Sequence, residues 1–372
     1  SIAGVVGGGL AEYLSGNGSA TSTVTNTSAV YVKDGNLTNI VYTKNDGGSN
    51  KKASSYAAVV GAGFATGEQA TASVENSVVV IDGADTLIKG NEETLNEVTY
   101  DDKDNAKVVA GGVATNGGNV NVTNTSLTMK NGTVTGDLVG GNLIDGSGKA
   151  GNITSTSVAL TGGILDGEVM GGSYIRGSNT STIGTTTVLV SGGELRSAEN
   201  KAQYVLGGGK AFVYANEQAA TLNIGTTNVT ISDSVKVLGG GVIGGSLAKG
   251  TADGTAKVNV TKANTTILGG TQIAGVVGGG VAENYDTSTG EVSSSVKESQ
   301  LTISGDPVCH GHYGAHRPVS GGEAPGVHRR RGRRRCGQLQ GVWRNGHVQR
   351  HHRQYHHQWR HHHWSCHRRW HG

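Results

Sequence analysis

An apolar pair followed by small residues returns eight times along this chain. The copies are VVGGG at 5–9, VVGAG at 59–63, VVAGG at 108–112, LVGGN at 138–142, VMGGS at 169–173, VLGGG at 205–209, VLGGG at 237–241 and VVGGG at 276–280. A unit of roughly 30 to 40 residues cannot bury its apolar positions alone, whereas stacked copies turn them into continuous rows. The first and last copies are nearly one phrase, IAGVVGGGLAEY at 2–13 and IAGVVGGGVAENY at 273–285.

Between the copies, polar and apolar residues alternate before a glycine-containing turn, at 23–35, 72–83, 120–132, 153–163, 185–193 and 258–270. Period-two alternation rich in Val, Ile and Thr is the signal of a half-buried strand. In VNVTNTSLTMKNG the apolar set is Val120, Val122, Leu127 and Met129, so the phase changes midway, and a bend or bulge near Asn124 accommodates it. A third short strand follows each turn, as in TVTGDLVGG at 133–141 and ILDGEVMGG at 164–172. One repeat is therefore three strands and a variable loop, the content of one coil of an all-β, right-handed parallel β-helix. With 63 glycines and 2 phenylalanines, the chain lacks the bulk for an isotropic core and fits β-branched rows instead. Polar insertions at 42–56 and 86–107 read as loops off one edge. The stacking places Val6, Val60, Val109, Val139, Met170, Leu206, Leu238 and Val277 in one inward column.

The net charge of +3 conceals two compositions that meet at Asp306. Residues 1–306 carry 18 Lys+Arg against 27 Asp+Glu; residues 307–372 carry 13 against 1, with all 14 His, 4 Trp, 3 Cys and 3 Pro. The solenoid region is thus 1–306, without a cysteine for disulfide or thiolate chemistry. The segment 307–372 is a disordered basic tail, poor in periodic apolar residues and crowded with like charge. Taken at face value, RRRGRRR at 329–335 and the His/Trp/Arg run read as a nucleic-acid or metal appendage. The genetic code points elsewhere. Written as codons and read one base along, Arg353 to Trp370 yields the pattern NGG-TTT-G-x-V-x-GG, which is the spacing of TGGILDGEVMGG at 161–172. We therefore expect a frameshift near residues 304–307 and no nucleic-acid partner.

The phrase GG-x-[VI]-x-G-x-V-x-GG, present as GGILDGEVMGG at 162–172 between long Asn/Thr-rich strands, resembles the passenger regions of bacterial autotransporter adhesins of the pertactin-like and diffuse-adherence type. The resemblance implies a secreted or cell-surface rod at the bacterial outer membrane. A member of that family also carries a signal peptide and a translocator barrel, and neither is visible in this sequence. Partners implied are host glycans, matrix proteins or neighbouring cells, with no membrane insertion by this segment and a capacity for end-to-end self-association.

Candidate chemistry is sparse. Asn-x-Ser/Thr triplets at Asn26, Asn121, Asn152, Asn228 and Asn259 could accept glycans, yet Asn and Thr are abundant and more simply form polar ladders along a solenoid face. Asp101, Asp102 and Asp104, in YDDKDN, could hold calcium or act as acid and base, but lie in no EF-hand or nonapeptide calcium pattern. A carbohydrate-active β-helix enzyme, a polysaccharide lyase or tailspike-like hydrolase, is the alternative reading. Against it, residues 1–306 contain no His and only Arg176 and Arg196 as arginines. Thr-x-Thr rows such as TVTNT at 23–27 do not recur at the constant spacing an ice-binding face needs. The expectation is a surface module with no catalytic, cofactor-binding or metal-binding residues and no cofactor.

Overall fold

The computed structural model of the protein describes residues 4–38 (except 14 and 16), 41–44, 52–55, 57–89, 108–196, 203–232 (except 217), 235–237, 240–284, 289–305, 308–309, 334–335 and 340–344. These residues are all-β, without a helix among them. The chain winds through eight coils, at 5–38, 59–89, 108–135, 138–166, 169–196, 205–237, 242–273 and 276–309. Successive coils pair in parallel through three sheets, so the architecture is a parallel β-helix.

The first sheet is built from the apolar pairs: Val5–Val6, Val59–Val60, Val108–Val109, Leu138–Val139, Val169–Met170, Val205–Leu206, Val242–Ile243 and Val276–Val277. Register holds residue on residue, from Val6↔Val60 through Met170↔Leu206 to Ile243↔Val277. The seventh member is a correction to the sequence reading. Leu238 lies outside the described residues, and its place in the column is taken by Ile243, from VIGGS at 242–246. The phrase VLGGG at 237–241 does not supply the column because Val237 belongs to a different strand. Lys236–Val237 is the short strand after the turn, in register with Leu195 and Ile273.

The column's direction also differs from expectation. Adjacent residues on a strand face opposite sides, and here both sides are buried. Val59, Val108, Leu138, Val169, Val205 and Val242 pack with the long strands, against Val79, Leu127, Val158, Val188 and Val229. Val60, Val109, Val139, Met170, Leu206 and Ile243 belong to a separate cluster with Phe64, Val113, Leu143, Tyr174 and Leu247. The latter residues open the strands of a second sheet, formed by Leu10–Glu12, Phe64–Thr66, Val113–Thr115, Leu143–Gly146, Tyr174–Gly177, Lys210–Val213, Leu247–Gly250 and Val281–Asn284. The glycine corner thus folds two short sheets against each other and creates a second core. At the terminal coils, with a described coil on one side, burial drops and Val277 is 36% exposed.

The third sheet carries the alternating strands, including Ala20–Val32, Ala70–Ile81, Asn119–Met129, Ile153–Asp166, Asn179–Arg196, Ala219–Ile231, Thr255–Ile267 and Glu291–Ile303. The short strands after the turn join this same sheet: Thr133–Thr135 pairs with Leu87–Lys89 and with Ile164–Asp166. The phase change is real. Pairing skips Glu75 and Thr123, and burial shifts from Val122 to Thr125. In six of the eight coils the turn then closes on a glycine in the left-handed region, such as Gly132 (φ 87), Gly163 (φ 82) and Gly270 (φ 78).

Because of the skip, one hydroxyl in each strand of coils 1 to 6 faces the core instead of an apolar group. Each donates to a carbonyl in the glycine corner of the next coil: Ser28 to Gly61 (2.6 Å), Ser77 to Ala110 (2.5 Å), Thr125 to Gly140 (2.5 Å), Thr156 to Gly171 (2.5 Å), Thr186 to Gly207 (2.5 Å) and Thr227 to Gly244 (2.6 Å). These staples satisfy corner carbonyls that the sheets leave unpaired. The series breaks in coil 7, where Ala263 stands in register with Thr227 and Thr265 stands in register with Val229. Both are buried, and the Thr265 hydroxyl has no hydrogen-bond partner. The double substitution Ala263→Thr, Thr265→Val should therefore raise stability by about 1 kcal/mol or more, from one bond made and one buried orphan removed. Urea denaturation measures it, and an unchanged or lowered midpoint contradicts the staple.

The parallel register runs past residue 306, since Val308–Cys309 pairs with Gln272–Ile273. Two short segments of the basic region then lie antiparallel on the last coil: Arg334–Arg335 on Val308–Cys309, and Gln340–Arg344 on Glu291–Ile303. The last coil thus has an antiparallel strand along its outer edge. The rest of 310–372 lies outside the described residues.

Candidate functional site

Two places in the fold concentrate polar chemistry. The first is the inner side of the glycine corner at coils 4 to 6. Lys210 opens its strand in register with Tyr174 and Leu247, a column otherwise apolar. Its ammonium lies 3.5 Å from the Glu168 carboxylate and 5.2 Å from the centre of the Tyr174 ring. All three side chains are buried, with Tyr174 at 0% exposure. The Asp137 carboxylate accepts the Glu168 backbone N–H at 3.0 Å, and Arg176 meets Asp145 at 3.2 Å along the same edge. A sealed ion pair offers a substrate no approach; what it can do is fix the angle between the two short sheets.

The second place is the outer face of the long sheet at its first three coils. Tyr31, Val80 and Thr128 form one outward column, in register. Two residues further along, Lys33, Asp82 and Lys130 lie beyond the strand ends, held by bonds from Asp82 N–H to Val32 and from Lys130 N–H to Ile81. Tyr31 is 62% exposed. Tyr31, Lys33, Val80, Asp82 and Lys130 line an open concavity of about 500 Å³. Lys130 Nζ donates to Asp82 Oδ2 at 3.0 Å and Asn131 Nδ2 to Asp82 Oδ1 at 3.1 Å.

The Lys130 hydrogen bond, with help from Asn131 and the nearby Lys33 charge, holds the Asp82 carboxyl below its ordinary value of 3.8, against a smaller opposing effect of burial. A depressed folded-state value means the contact contributes above pH 3.8 and is lost as pH falls through the folded value. An NMR titration of the Asp82 carboxyl should therefore show a midpoint below 3.8, moving upward in Lys130→Met. A midpoint at 3.8 unaffected by the substitution contradicts the geometry.

A smaller concavity of about 330 Å³ lies between coils 6, 7 and 8, lined in part by Gln218, Asp253, Thr289 and Glu291. Asp253 is engaged there, accepting the Thr289 backbone N–H. No group of three or more potential metal ligands occurs among the described residues.

Of the residues singled out from sequence, Asp101, Asp102 and Asp104 lie outside the described residues. Arg196 pairs with Glu194 at 3.0 Å on the surface, which raises the guanidinium's value and lowers the carboxyl's. The Asn residues form ladders between coils: Asn121 donates to Ser73 (3.3 Å), Asn124 to Asn76 (3.0 Å), Asn259 to Asn223 (2.9 Å) and Asn264 to Asn228 (2.9 Å). Asn26 and Asn152 are exposed, and Asn26 accepts from the Thr27 hydroxyl. Sequence reasoning missed the Tyr31 concavity, although alternation alone puts Tyr31 on the face opposite Val30 and Val32.

Fold and surface together define a parallel β-helix repeat protein with a ladder-covered outer face. No family model, no curated protein and no solved structure matches the chain.

Proposed function

We propose that this chain is the surface-presenting rod of a secreted or cell-surface bacterial envelope protein, structural or adhesive, and acts without catalysis. The observation that carries the reading is the outer face of the long sheet, where eight parallel strands hold side chains in register over the whole length of the coils. Such a face suits contact with extended partners: host glycans, matrix proteins or neighbouring cells. Its ladders also restrict the side chains before any partner arrives, lowering the ordering cost of contact. The autotransporter passenger is the family this reading proposes, and the frameshift near residues 304–307 is part of it; resequencing the gene there should restore a repeat.

Beads coated with the chain should adhere to matrix-coated surfaces or epithelial monolayers above beads coated with an inert protein. Absence of adhesion to either, together with sustained reducing-end release from a polysaccharide panel, would replace this reading with that of a carbohydrate-active β-helix enzyme. Loss of that turnover in Asp101→Asn, Asp102→Asn or Asp104→Asn would then name its carboxylates.

A further inference from the structure

The outer face of the long sheet changes character along the rod. In the two columns formed by the outward positions near the strand ends, coils 3 to 8 carry Ser126 and Thr128, Ser157 and Ala159, Thr187 and Leu189, Asn228 and Thr230, Asn264 and Thr266, and Gln300 and Thr302. Coils 1 and 2 carry Ala29 and Tyr31, then Val78 and Val80. This is a small apolar platform with an exposed aromatic ring, in a chain whose aromatic content is 5%. Beside it, about 7 Å along the strands, stands the Lys33, Asp82 and Lys130 column with Asn131.

From this juxtaposition we propose that Tyr31, Val80, Asp82, Lys130 and Asn131 form a binding site for a neutral oligosaccharide. The inference rests on the adhesive reading above and names the ligand class. A pyranose ring has an apolar face of C–H groups and a rim of hydroxyls. The Tyr31 ring, flanked by Val80, offers the flat surface that such a face covers, and an exposed aromatic loses little conformational entropy on contact. Vicinal hydroxyls at the rim donate to the Asp82 carboxylate and accept from the Lys130 ammonium and the Asn131 amide, whose mutual bonds at 3.0 and 3.1 Å already fix their positions. The open concavity of about 500 Å³ admits a chain passing over the surface. The Lys33, Asp82, Lys130 stack alternates in sign, so it offers donors and acceptors in turn and suits hydroxyls better than an anionic sugar.

Saturation-transfer NMR on the full chain tests this, with chitohexaose, cellohexaose, lacto-N-tetraose and a heparin hexasaccharide as probes. The expected result is transfer to at least one neutral probe, at least a ten-fold weaker affinity in Tyr31→Ala, and a clear weakening in Asp82→Asn. Both residues are exposed, and circular dichroism confirms that each variant retains the fold. The inference is overturned by no transfer to any neutral probe, by transfer unaffected in both variants, or by binding of heparin alone that Lys33→Met abolishes. If coated beads still adhere when the neutral probes fail, the site is wrong and the adhesive reading stands; if both fail, both fall.

Discussion

Replacing Lys210 by Met is expected to destabilise the protein by about 3–5 kcal/mol, the cost of removing one partner of a buried ion pair. The group that loses this contact is Glu168, 3.5 Å from the Lys210 ammonium, and both side chains are more than nine-tenths buried. The double variant Lys210→Met, Glu168→Leu removes both charges at similar volume and should return most of the lost stability, because desolvation of the pair offsets much of its attraction. Urea denaturation of the two variants and the parent decides the matter. A single variant as stable as the parent would show that the pair does not hold the corner; a double variant no better than the single would mean that Lys210 acts through packing on Tyr174 instead.

The second large effect is expected at the glycine corner. A Cβ at Gly171 would lie 2.2 Å from the Gly207 carbonyl oxygen and 2.7 Å from a Val188 methyl. Neither can retreat: the oxygen belongs to the next coil's backbone and already accepts the Thr186 hydroxyl, and Val188 is core. Gly171→Val should cost about 3 kcal/mol or more, with hydrogen-exchange protection lost first in coils 5 and 6, whose pairing depends on that approach. Gly18, with nothing within 4 Å of its added Cβ, is the control. Gly18→Ala should stay within about 0.5 kcal/mol of the parent. Equal effects at the two glycines would refute the idea that the corner glycines are required by the close approach of successive coils.

The difference between coils 2 and 7 illustrates how far local patterning reaches. In Ala70–Ile81 the buried set Ala70, Ala72, Val74, Val79 and Ile81 follows alternation on either side of the phase change at Glu75, while Val78 and Val80 lie on the opposite face. In Thr255–Ile267 the pattern reads equally well, yet the positions of Ala263 and Thr265 are interchanged in character relative to neighbouring coils, and the consequence is visible only when coils are laid in register. The same holds for the candidate site. Tyr31 is outward by alternation, but its neighbours Val80, Asp82 and Lys130 lie 49 to 99 residues away and meet it only through stacking.

What the sequence determined by itself is the repeating unit: the apolar pair, the glycine corner, the alternating strand and the turn glycine are each local, and local chemistry dictates them. It determined too that like residues would stack, since a single coil cannot bury its rows. Tertiary structure decided what depends on register between coils. It chose Ile243 over Leu238 because the turn after Ile231 consumes Val237 in a different strand. It made the second short sheet, whose three- and four-residue strands are too brief to announce themselves by periodicity. In coils 1 to 6 it also aimed one hydroxyl at a carbonyl in the next coil, a match that no single repeat contains.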